Sequence, residues 1–162
     1  MEEKRRILFD TNIFDEIDLE PLPYTENPKY EFYTTDISLN EIAAIPDSKK
    51  GKRKRLHKII ADLKNNGLTV LSSNHLHSNC PCPDIIAYEK IKVCGGVGEN
   101  DAQIGSIAAT GYTLVTNDKR FGKAMEKNGL DVMTYQNLCD EMRSDMHTCN
   151  MAVMADNAAI LG

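Results

Sequence analysis

Hydrophobic positions along the chain follow two rhythms. Short apolar runs at 6–9 (RILF), 31–35 (EFYTT), 68–71 (LTVL), 113–116 (TLVT) and 131–135 (DVMTY) predict β-strands. Between them the spacing changes. Leu56, Ile59, Ile60 and Leu63 recur at i, i+3, i+4 and i+7, which predicts a helix with one apolar stripe. Ile104, Ile107 and Ala108 repeat that spacing over a shorter length. A third helix over 119–127 is predicted to stop at Asn128-Gly129, a carboxyl-terminal cap. The stretch 84–93 (DIIAYEKIKV) reads as helix between loop-like 72–83 and 94–100. Beyond 138, Leu138, Met142, Met146, Cys149 and Val153 line one side of a single amphipathic helix.

Strands alternating with helices are the pattern of βαβ units. The predicted fold class is α/β, a three-layer α/β/α sandwich with a central, mainly parallel sheet. Right-handed crossovers bring the carboxyl ends of successive strands to one edge, and ligands of such sheets bind beyond that edge. Two of the predicted strands end alike there. "ILFDTN" runs from Ile7, Leu8 and Phe9 into Asp10, Thr11 and Asn12; "TLVTND" runs into Thr116, Asn117 and Asp118. Glu41 follows the second strand, and Asp101 opens the helix carrying Ile104 and Ile107.

Each of these acids has a purely structural explanation. Asp is a favoured helix N-cap, carboxylates suit the positive end of a helix dipole, and Ser38-Leu39-Asn40-Glu41 matches a capping box. As a set they ask for more. Asp10, Glu41, Asp101 and Asp118 all fall at strand-to-helix transitions on one predicted edge. Carboxylates brought together repel and either protonate or recruit a cation. Mg²⁺ or Mn²⁺ suits an all-oxygen donor set, and such an ion can activate water and stabilise a phosphodiester transition state. Thr11, Asn12, Thr116 and Asn117 would supply neutral hydrogen bonds around it.

Composition narrows the picture. The 162 residues, 41% hydrophobic and 27% charged, suit one globular domain with its own core. No apolar run reaches the roughly 18–20 residues a membrane span needs. The start, "MEEKRRILFD", holds too short an apolar stretch for a signal peptide, so the expected location is cytoplasmic. The five cysteines are expected to be reduced. A net charge of −5 argues against broad adhesion to nucleic acid, yet "KKGKRKRLHK" at 49–58 concentrates seven Lys or Arg. Its Lys52, Arg53, Lys54 and Arg55 are candidate RNA phosphate contacts; a solvated helix face is the alternative.

With these residues in place, the sequence resembles the PIN-domain ribonucleases, in particular the small toxin-type members. The matching pieces are "ILFDTNIF", "ISLNEIAAI", "ENDAQIGSIAATGYTLVTNDKRF" and "DVMTY", spanning about 7 to 135 in the family's order. The resemblance implies an acidic quartet at Asp10, Glu41, Asp101 and Asp118, with Asn12 and Thr116 at supporting polar positions. It implies Mg²⁺- or Mn²⁺-dependent cleavage of RNA. It also implies, as partners, an antitoxin protein for members that are toxin halves of toxin–antitoxin pairs, and a second copy in a homodimer. Glu99 is a fifth acid nearby, an accessory candidate or a solvated loop residue. The expected organisation is a PIN-like domain over 1–138 and a helical extension over 139–162, packed on the same domain or on a partner.

Two other readings stand beside this one. A haloacid-dehalogenase-type phosphohydrolase also begins with an Asp after a strand, but it needs a second Asp where Asn12 stands. A non-catalytic protein- or RNA-binding module could keep the fold without the chemistry. His75, His77, Cys80 and Cys82 are zinc-type ligands at spacings poor for one tetrahedral site, and an exposed loop is the expectation there.

Overall fold

The computed structural model describes residues 4–23, 29–73 and 83–146. His75, His77, Cys80, Cys82 and the tail beyond 146 lie outside them, as do the side chain of Cys94 and the expected stripe positions Cys149 and Val153.

Five parallel strands form one sheet in the order β3-β2-β1-β4-β5. They are β1 (Arg5–Phe9), β2 (Tyr30–Thr35), β3 (Thr69–Leu71), β4 (Thr113–Val115) and β5 (Val132–Met133). The helices between them are α1 (Ile13–Leu19), α2 (Asp36–Ala43), α3 (Lys50–Asn65), α4 (Pro83–Gly95), α5 (Glu99–Ala108) and α6 (Lys119–Lys127), with α7 over 135–146 after the last strand. This is the α/β sandwich that the sequence predicts.

The central strand shows why the sheet is covered on both sides. Ile7, Leu8 and Phe9 are all fully buried. Successive side chains on a strand point to opposite faces. Ile7 and Phe9 join a core with α1, α3 and α7 through Phe14, Leu56, Ile60, Leu138 and Met142. Leu8 joins the other core, with Ile91 of α4, Ile104 of α5 and Phe121 and Met125 of α6. A strand buried on both faces reads as a continuous apolar run, which is what "ILF" is.

Three local expectations are corrected. The strand expected over 131–135 is only Val132–Met133. Thr134 caps the next helix, its hydroxyl oxygen accepting from the Asn137 amide, so Tyr135 opens α7 rather than closing a strand. The capping box is absent: α2 begins at Asp36, and Thr35 Oγ1 caps it by accepting from the Ser38 amide at 3.1 Å. Glu41 is thereby free to point elsewhere. Finally, α5 starts at Glu99, two residues before Asp101. The expected boundary between 138 and 139 falls inside α7, whose Leu138, Cys139 and Met142 are buried against the sheet. Glu141 fastens this helix to β1 by accepting from Arg5 Nη1 at 2.8 and 3.0 Å.

Candidate functional site

β1 and β4 are neighbours, and Phe9 pairs with Val115 at their carboxyl ends. The residues that follow, Asp10 and Thr116–Asp118, are therefore delivered side by side. Asp10 remains buried at 5% exposure. Its Oδ1 accepts from the Thr11 amide at 2.7 Å. Its Oδ2 accepts from Asn12 Nδ2 at 2.6 Å and from the Thr116 hydroxyl at 2.7 Å. Thr116 Oγ1 in turn accepts from Asn12 Nδ2 and from the Asp118 amide. Asn117 faces two ways: its amide donates to Asn12 Oδ1, while its side-chain oxygen accepts from the Tyr135 amide and helps seat α7.

Asp118 is the N-cap of α6. Its Oδ1 accepts from the amides of Arg120 and Phe121 at 2.8 and 2.9 Å. The structural explanation of this acid is thus correct, and it uses only one of the two carboxylate oxygens. Glu41 reaches out from α2 and is gripped at both oxygens, by the Thr11 hydroxyl and by Asn100 Nδ2 at 2.6 Å. Asp101 projects from the first turn of α5.

All four acids line a single cavity of about 310 Å³, with Thr11, Asn12, Asp15 and Lys52 in its wall. Their charges act on one another. Burial, reinforced by the charges of Asp101 and Glu41 and opposed by the bonds from Thr116 and Thr11, pushes the Asp10 carboxyl up to about 6. Asp101 is also raised, by burial first and then by Asp118 and Glu41. None of the four forms an ion pair among the described residues. A larger hollow of about 570 Å³ lies at the opposite edge of the sheet. There the charges have partners: Arg5 pairs with Asp131 and Glu141, Lys4 with Glu31, and Arg6 stacks on Tyr112.

The donor set fits a hard divalent cation in kind, since it is all oxygen and strongly anionic. As set, however, no three His, Cys, Asp or Glu side chains among the described residues stand within reach of one ion. Mutual repulsion favours that separation.

Other expectations sort themselves by place. Glu99 is exposed and does not line the cavity. Among the basic candidates, Lys52 pairs with Asp15, Arg53 with Asp47 and Arg55 with Asp18, so three of the four are matched within the chain; Lys54 is exposed. Sequence reasoning missed Asp15 and Asn100 as parts of the site, and gave Lys52 as an RNA phosphate contact without placing it in the wall of the acidic cavity. The available signal was Ile13, Phe14 and Ile17, whose spacing marks α1 and places Asp15 five residues after Asp10 on a helix entering the same edge.

No protein-family model and no curated protein matches the chain. Solved structures do. VapBC2 from Rickettsia felis, solved bound to a DNA fragment from its promoter, is 20% identical, with 80% of this chain and 98% of that one covered and a TM-score of 0.54. VapBC-1 from nontypeable Haemophilus influenzae is 16% identical over 81% and 98% of the two chains, TM-score 0.55. A PilT N-terminus domain protein from Sulfolobus solfataricus is 14% identical over 84% and 92%, TM-score 0.54. The fold is that of the PilT N-terminus, or PIN, domains, as the resemblance in sequence implied. No helix among the described residues is long and apolar enough to cross a membrane.

Proposed function

We infer that the protein is a metal-dependent endoribonuclease of the PIN type, with Mg²⁺ or Mn²⁺ as its cofactor and RNA as its substrate. The observation that carries this reading is the convergence of Asp10, Glu41, Asp101 and Asp118, from four separate segments, on one cavity in which none of them forms an ion pair among the described residues. A fold without chemistry has no reason to sustain that repulsion.

Asp10, Asp101 and Asp118 are the residues to hold the ion. Asp118 has Oδ2 left over after capping α6, and Asp101, whose carboxylate accepts from the Gly98 amide, projects from the first turn of α5. When bound, the ion supplies an activated water and a counter-charge for the phosphodiester. Glu41, fixed by Thr11 and Asn100, would orient a water in the cavity and accept its proton. Asn12 and Thr116 keep the Asp10 carboxylate aimed at the cavity. In-line attack on phosphorus then leaves a 5′-phosphate and a 3′-hydroxyl.

Two of the similar structures are VapBC proteins, one solved with promoter DNA. They support a further reading of this chain as the toxin of a toxin–antitoxin pair, with an antitoxin protein as partner. Incubation with tRNA, rRNA and mRNA in Mn²⁺ tests the activity. Cleavage that Asp101→Asn abolishes is the expected result. Intact RNA, together with a melting temperature that Mn²⁺ does not move, would leave the non-catalytic binding module as the better account.

A further inference from the structure

Of the seven basic residues at 49–58, one lines the acidic cavity: Lys52. Its ammonium is held by Asp15, at 2.8 Å from Oδ1 and 2.9 Å from Oδ2, and Asp15 lines the same cavity from α1. The pair is half exposed, at 39% and 43% of the two side chains. Half-exposed pairs hold weakly and exchange partners readily.

We propose that the Asp15–Lys52 pair is a resting clasp, in which Asp15 occupies the cavity-facing cation and a substrate phosphate displaces it. This rests on the nuclease reading and adds to it how the site admits a polyanion. A phosphate approaching five carboxylates meets repulsion from all of them. Lys52 offers the compensating charge at the cavity wall. Asp15 then competes with the substrate for one ammonium, so its charge sets the affinity for RNA without taking part in hydrolysis.

The test is a double-mutant cycle read by fluorescence anisotropy, with a labelled twelve-nucleotide oligouridylate in EDTA at several salt concentrations. Lys52→Gln should weaken binding and reduce the salt slope by about 0.7, the loss of one single-strand phosphate contact. Asp15→Asn should tighten binding about threefold or more, in line with the worth of an exposed ion pair. In the Lys52→Gln background Asp15→Asn should do nothing. Equal tightening in both backgrounds would show a general field effect and overturn the clasp, and so would an unchanged salt slope in Lys52→Gln. Cleavage of the same oligonucleotide by the wild-type protein in Mn²⁺ separates the two claims. Cleavage with a null cycle sinks only the clasp, and no cleavage and no binding sinks both.

Discussion

Replacing Asp10 by Asn probes the electrostatics of the cavity in isolation. Burial, the largest cause, lifts the Asp10 carboxyl from 3.8 to about 6. The folded chain therefore holds this proton more tightly than the unfolded chain does. The resulting stability is fully present below pH 3.8 and is lost as pH rises through 6. At about 1.4 kcal/mol per pH unit, the ionised carboxylate costs about 3 kcal/mol at pH 8 and about half that at pH 5. Asn removes the cost but loses hydrogen bonds, because an amide nitrogen at the Oδ2 position cannot accept from Asn12 and Thr116. That loss is about 1–2 kcal/mol. Without divalent metal, Asp10→Asn should then be more stable than wild type by about 1–2 kcal/mol at pH 8, or about 2–8 °C in Tm, and about equal to it at pH 5. Added Mn²⁺ should raise the Tm of the wild type by mass action and leave the variant where it was. Thermal melts at the two pH values, in EDTA and in Mn²⁺, read all four quantities. A variant equally destabilised at pH 5 and pH 8 would show that Asp10 carries no charge strain. An equal Mn²⁺ response in both proteins would remove Asp10 from the ion's ligands.

Asp118→Asn keeps a good cap on α6, so its stability in EDTA should stay within about 0.5 kcal/mol of wild type while RNA cleavage falls to background; Asp118→Ala should lose about 1 kcal/mol as well, measured by urea unfolding. Phe9→Ala removes a fully buried ring stacked on Phe32 at 5.5 Å and should cost about 3–5 kcal/mol in the same assay. Gly105→Ala drives a methyl into Met125 Sδ and to 3.2 Å from Ile91 Cδ1. It should destabilise by about 1–3 kcal/mol, although alanine is intrinsically the better helix former.

Much of this architecture is written in local chemistry. The runs "RILF" and "TLVT" announce doubly buried strands, and the Leu56–Leu63 stripe and the Asn128-Gly129 stop locate α3 and the end of α6, because period and capping are properties of a few adjacent residues. The acids were legible as a set because α/β topology sends strand ends to one edge. What stayed hidden depends on partners distant in sequence. Glu41 matches a capping box by spacing, yet Thr35 takes the capping role and Thr11 and Asn100 claim the carboxylate. Thr134 and Tyr135 have strand-forming side chains, but the hydroxyl of Thr134 and the side chain of Asn117 commit them to a helix start. The basic run at 49–58 reads as a uniform patch, and only tertiary pairing with Asp15, Asp18 and Asp47 singles out Lys52.

The strand order also bears on the chain while it is being made. β1 lies between an early neighbour, β2, and a late one, β4, and the Thr116 hydroxyl that braces Asp10 comes 106 residues after it. A nascent polypeptide that has already emerged past β3 can pair three strands and still lack half of the pocket's frame. A product released by premature termination before β4 would carry Asp10, Glu41 and Asp101 but lack Asp118 and the Thr116 hydroxyl that braces Asp10. Translation of the first acids and their assembly are thus separate events, and the second waits for β4 and the residues that follow it.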